Sequence, residues 1–128
     1  IVIAVSLLYI FGAHLPTILS MTTKSITAPI AIITSEQIGA IPSLAVGFVL
    51  ITGLVGALLG TIVFMVFKVK YETSKGFALG LVSHGIGTAR AIEISEKAAA
   101  FAALAMGLSG IFTAIFLPIV ITYFKNIF

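Results

Sequence analysis

Residues 83–93 read Ser83-His-Gly-Ile-Gly-Thr-Ala-Arg-Ala-Ile-Glu93, a polar, glycine-loosened stretch inside a strongly apolar chain. Gly85 and Gly87 weaken a helix there, so an ordinary lipid-facing helix is not expected to pass through it. Irregular backbone at membrane depth is tolerated only where protein or a water-filled cavity satisfies the freed polar groups. The stretch is therefore expected to line something. If a half-helix starts near Thr88 or Ala89, its free N–H groups and positive dipole end face the glycine turn and suit an anion. Arg90 then sits in the first turn, where its planar fork matches a carboxylate.

The surrounding chain sets this stretch in a membrane. Of 128 residues, 60% are hydrophobic and 9% are charged, with four Glu, no Asp and no Cys. A soluble domain carries about 25% charged residues, so this composition cannot cover a water-facing surface. Without Cys or Asp, and with two His, the chain has little to hold a metal or a thiolate-bound cofactor. No metal, no cofactor and no catalysis are expected. The net charge of +3 comes from sparse Lys between apolar runs, which is a membrane-orientation pattern and not a nucleic-acid one. The opening run Ile1 to Phe11 lacks a charged leader and a cleavage site, so it does not read as a signal peptide. Because residue 1 is Ile and the chain opens within a hydrophobic segment, it is expected to be the C-terminal part of a longer protein, with residues 1–128 forming a single transmembrane domain.

Two charge-free runs, Ile41 to Phe67 and Ala98 to Phe124, are long enough to span a bilayer. Lys68, Lys70, Lys75 and Lys125 lie at their ends, and the positive-inside bias places the Lys68–Lys75 loop and the C-terminus in the cytoplasm. A second interrupted segment, between Gly12 and Gly39, carries Lys24 and Pro29, and Pro29 is expected to break it near its middle.

Shifting the chain by sixty positions lays Ile26–Ile51 over Ile86–Ile111, with ten identities that include Ser35-Glu36 over Ser95-Glu96. Roughly a tenth of positions would match by chance. The fold expected is thus all-α and polytopic, with two internal repeats of about residues 13–68 and 76–125, each a broken helix followed by a long transmembrane helix. Whether the units are parallel or inverted stays open at this level.

Lys24 aligns with His84, so each broken segment has one potentially cationic group just before its break. His84, Glu93, Glu36 and Glu96 are candidates for proton coupling. Competing structural readings stand beside these. Arg90, Glu93 and Lys97 share one helical face and could neutralise one another, His84 could be a hydrogen-bonded interior imidazole, and Glu36 and Glu96 could sit at helix ends in the interface. Gly56/Gly60 and Gly76/Gly80 have the spacing of close helix packing, within the chain or in a homo-oligomer.

At Lys24-Ser-Ile-Thr-Ala-Pro-Ile-Ala31, Ser35-Glu-Gln-Ile-Gly39 and above all Ser83-His-Gly-Ile-Gly-Thr-Ala-Arg90, the chain resembles the LrgB/CidB family of bacterial inner-membrane proteins. A related plastid protein exports glycolate and glycerate. The resemblance implies one of two roles: an antiholin-like modulator of murein hydrolase activity and autolysis that works with a small LrgA/CidA-type membrane partner, or a carrier of pyruvate and similar short carboxylates. In the carrier reading, a carboxylate sits between the broken segments near Pro29, held by Arg90 and by the half-helix N-terminus after Gly87, with Gly85 in the same binding turn. Thr27, Ser83 and Thr88 bond its keto or hydroxyl oxygen. The competing reading is a pore or pore modulator.

Overall fold

A computed structural model describes residues 1–125, and side chains through Tyr123. The described chain is all helical: α1 (Val2–Ile10), α2 (Leu15–Thr22), α3 (Ala28–Ile38), α4 (Pro42–Val66), α5 (Glu72–Ile92) and α6 (Glu96–Lys125). Both charge-free runs become the long helices α4 and α6, and both are long and apolar enough to cross a membrane. Only 17% and 11% of their apolar windows are buried, unlike the core helix of a soluble protein. Outward residues such as Leu50, Ile51, Ile62, Leu104 and Val120 are exposed.

The break in the first polar segment falls ahead of Pro29. Residues 23–27 interrupt the helix, Thr27 is the N-cap of α3, and Pro29 sits in that helix's first turn. Proline at this position has no bond to lose and a pre-set φ, so Pro29 opens the second half-helix instead of breaking one. Gly39 ends α3 at φ 75°, the left-handed position that glycine takes without strain, and Ala40 N–H bonds Ser35 O at 2.8 Å.

In α5 the break falls on His84, at φ 41° and ψ −121°, and not at Gly85, Gly87 or Thr88. It divides α5 into a first arm, 72–83, and a second arm, 85–92. The second arm folds back. Ser95 Oγ donates to Glu72 Oε2 at 2.9 Å, bringing the end of the hairpin to its beginning. A methyl on Gly87 would collide with the Leu79 carbonyl.

Helix directions follow from the glycine contacts. Gly76 packs on the Ala98 carbonyl and Gly80 on the Ala102 carbonyl, so the first arm of α5 runs parallel to α6. Gly60 faces Leu79, Gly56 faces Ser83 and Gly53 faces His84 and Ile86, so α4 runs antiparallel to that arm. The two long helices therefore run in opposite directions. The first half is tied in a similar way, because Ser20 Oγ accepts the Ile41 N–H at 3.0 Å and holds α2 against the start of α4.

Two small cores sit beneath these contacts, Ile26, Ala31 and Val49 in one and Leu79, Ala91, Ala98 and Ala102 in the other. Several positions sixty apart are buried in both halves: Leu19 and Leu79, Thr23 and Ser83, Ala31 and Ala91, Ile38 and Ala98, Ala45 and Ala105.

One expectation of orientation is corrected. The Lys68–Lys75 loop adjoins the start of α6 through Glu72 and Ser95, whereas Lys125 ends that helix 30 residues later, roughly 45 Å away at 1.5 Å per residue. A spanning α6 puts the loop and the chain's end on opposite sides, so both cannot be cytoplasmic. Residues 126–128 lie outside the described residues.

Candidate functional site at the meeting of two helix breaks

The two breaks meet. His84 Nε2 lies 3.1 Å from the backbone oxygen of Lys24, a residue sixty positions away. A carbonyl only accepts, so Nε2 carries the proton and donates. The imidazole is 2% exposed and lies beside Gly53, where a Cβ would come within 3.2 Å of His84 Cε1. Glycine on α4 is what lets the ring approach. Buried hydroxyls surround the junction: Thr23 Oγ1 donates to Ser20 O at 2.9 Å, while Ser83 Oγ, also fully buried, has no partner among the described residues.

Two cavities lie near this junction and share no lining residue. One, of about 740 Å³, presents Lys24 and Ser25 from the first break, Leu81 and Val82 from the first arm of α5, and Leu108, Ser109, Phe112, Thr113 and Phe116 from α6. The other, of about 450 Å³, is lined by Leu54, Ala57, Leu58, Ile86, Ala89, Arg90 and Glu93.

The residues singled out from the sequence are divided between these places. Arg90 pairs with Glu93 and its Nη2 donates to Thr61 Oγ1 on α4 at 3.4 Å, so the guanidinium ties the second arm of α5 to α4. Among the described residues this is the only ion pair. Thr88 Oγ1 donates to His84 O at 2.8 Å and is spent on the break itself. Gly87 is buried against Leu79 backbone, whereas Gly85 is open. Thr27 caps α3 without a side-chain bond, and Pro29 is exposed. Glu36, Glu93 and Glu96 are exposed as well.

Sequence reasoning missed Ser109 and Thr113, which read there as ordinary positions in a long helix. A signal existed in the sixty-residue shift: Gly53 faces His84, and the positions sixty away are Thr113 and Lys24, which line one cavity.

The fold and the junction define a class: an all-helical protein with two helices able to cross a membrane and two short broken segments that meet between them. The chain belongs to the LrgB-like family, whose model matches residues 1–123. Among its relatives, holin-like protein CidB of Staphylococcus epidermidis is 32% identical over 123 residues, 96% of this chain and 54% of that one. The uncharacterized protein YxaC of Bacillus subtilis is 35% identical over 114 residues, covering 89% of this chain and 50% of that protein. The chain spans about half the length of the curated relatives it matches. No solved structure matches it.

Proposed function

We propose that this chain forms part of a bacterial inner-membrane carrier for small carboxylates, with the substrate held where the two helix breaks meet. The observation that carries the reading is the contact between His84 and Lys24 O. Two breaks from opposite halves of a chain converge beside a cavity holding a cation and hydroxyls, and binding sites of repeat-built transporters are made of such discontinuous helices. Antiparallel α4 and α6, with matched burial sixty residues apart, support an inverted repeat and hence alternating access around the junction. The name of the relatives, holin-like protein, favours a second reading, a pore acting with a small membrane partner. Against it stand the small-residue faces: Gly56 and Gly60 are taken up by α5, and Gly76 and Gly80 by α6, within one chain.

Counterflow of labelled pyruvate and glycolate into proteoliposomes holding the whole protein, with and without its small partner, tests the proposal beside a dye-leak control. Saturable exchange that unlabelled substrate competes away is the expected result. Dye leakage without exchange would establish the pore.

An orientation follows as well. Lys68, Lys70, Lys75 and Lys97 gather at the α4–α5 turn and the start of α6, and positive residues stay on the cytoplasmic side. This stretch has no cysteine, so Lys70→Cys is expected to react with an impermeant maleimide only in inverted vesicles, and Gln37→Cys, at the far end of α3, only in whole cells. Labelling of both from one side would contradict the inverted arrangement.

A further inference from the structure

We propose that Lys24, and not Arg90, is the cation that holds the ligand, and that the site accepts an anion of single charge. In substrate class this rests on the carrier reading above, although binding at Lys24 is tested apart from transport. Arg90 is already neutralised by Glu93 and tied to Thr61. Lys24 is not. It is half-buried, its Nζ donates at 3.4 Å to Ser25 Oγ, a neutral group, and it makes no ion pair among the described residues. The four carboxylates are committed elsewhere: Glu93 with Arg90, Glu72 with Ser95, and Glu36 and Glu96 exposed.

An ammonium between membrane helices with no counter-charge is costly, and an anionic ligand offsets that cost. The 740 Å³ cavity beside it is apolar over most of its wall, with the exposed rings of Phe112 and Phe116, and offers hydroxyls at Ser25 and Thr113, while Ser109 Oγ donates to Met106 O at 3.1 Å. One cation neutralises one carboxylate. A second carboxylate on the ligand would face Leu, Val and Phe side chains unpaired, a state that low-dielectric surroundings penalise heavily. His84, reaching from the opposite hairpin, grips the carbonyl of Lys24 itself and so fixes the backbone from which the ammonium projects.

Thermal unfolding of the whole protein in detergent, titrated with pyruvate and with succinate, tests this alongside counterflow. Pyruvate is expected to raise the midpoint of the unaltered protein, and succinate to need at least tenfold more for the same rise. Lys24→Met is expected to fold with an unliganded midpoint no lower than the parent's, to lose the pyruvate response, and to lose exchange at least a hundredfold; Lys24→Arg keeps part of both. Arg90→Gln combined with Glu93→Gln is expected to keep the pyruvate response. A pyruvate response in Lys24→Met within threefold of the parent overturns the proposal, as does loss of the response in the Arg90/Glu93 double variant, or equal responses to the two acids. Failure of Lys24→Met to fold also overturns it, because the proposal requires that no protein group depend on that charge. A Lys24-dependent response without any exchange sinks the carrier reading and leaves this site standing. Exchange that persists unchanged in Lys24→Met does the reverse.

Discussion

Gly80→Ala is expected to lower the stability of the protein by about 3 kcal/mol, leaving it able to be purified but with a clearly lower unfolding midpoint. Two effects oppose one another at this position. Alanine is the better helix former by about 1 kcal/mol, which would stabilise. The added methyl, however, would overlap the backbone carbonyl of Ala102, and a carbonyl inside α6 has no rotamer through which to retreat. Overpacking against rigid backbone wins. Gly76, one turn earlier and against the Ala98 carbonyl, is expected to behave in the same way. Gly47 and Gly107 provide the contrast, since a Cβ on either meets nothing within 4 Å. Alanine at these two should leave stability unchanged or raise it. The comparison is read as four unfolding midpoints of purified protein; equal midpoints across the set would show that the α5–α6 contact does not bear on the backbone as described.

His84 carries the second large effect, and a pair of substitutions separates its two roles. Its backbone lies at φ 41° and ψ −121°, a conformation that costs a non-glycine residue about 1–3 kcal/mol. Its ring supplies the bond to Lys24 O, worth about 1 kcal/mol. His84→Ala keeps the strained backbone and loses the bond. His84→Gly loses the bond and relieves the strain. The alanine variant is thus expected to be the least stable of the three, with the glycine variant at or above the parent, while exchange falls at least tenfold in both because the first break is no longer held. An alanine variant as stable as the glycine variant would show that residue 84 is not strained. Undiminished exchange in either would show that the two breaks need no tether.

Much of the architecture is legible in local sequence. The runs 41–67 and 98–124 contain no charge, and α4 and α6 occupy them almost end to end, because membrane-length helices depend on hydrophobic length and little else. The two interrupted segments are legible as well, but the places where they break are not. Pro29 reads as a breaker by its missing N–H, yet that same property suits it to the first turn of α3. Gly85 and Gly87 read as the weak points of α5, yet the left-handed φ is taken by His84. The tether to Lys24 and the room above Gly53 hold the histidine there, and both come from elsewhere in the chain. Arg90 shows the same limit: its spacing to Glu93 permitted an ion pair, and the presence of Thr61 beside it was invisible.

By itself, then, the amino-acid sequence determined that the chain is helical and apolar, where its long helices run, and that two polar segments interrupt it. These properties are set by residues within a turn or two of one another. Only the tertiary structure decided that the second broken segment doubles back, that α4 and α6 run in opposite directions, and that Lys24 rather than Arg90 is left without a counter-charge among the described residues. Each of these depends on which residues meet after the chain has folded back over sixty positions, and backbone contacts such as Gly80 on Ala102 or His84 on Lys24 O leave no periodic mark on the sequence that makes them.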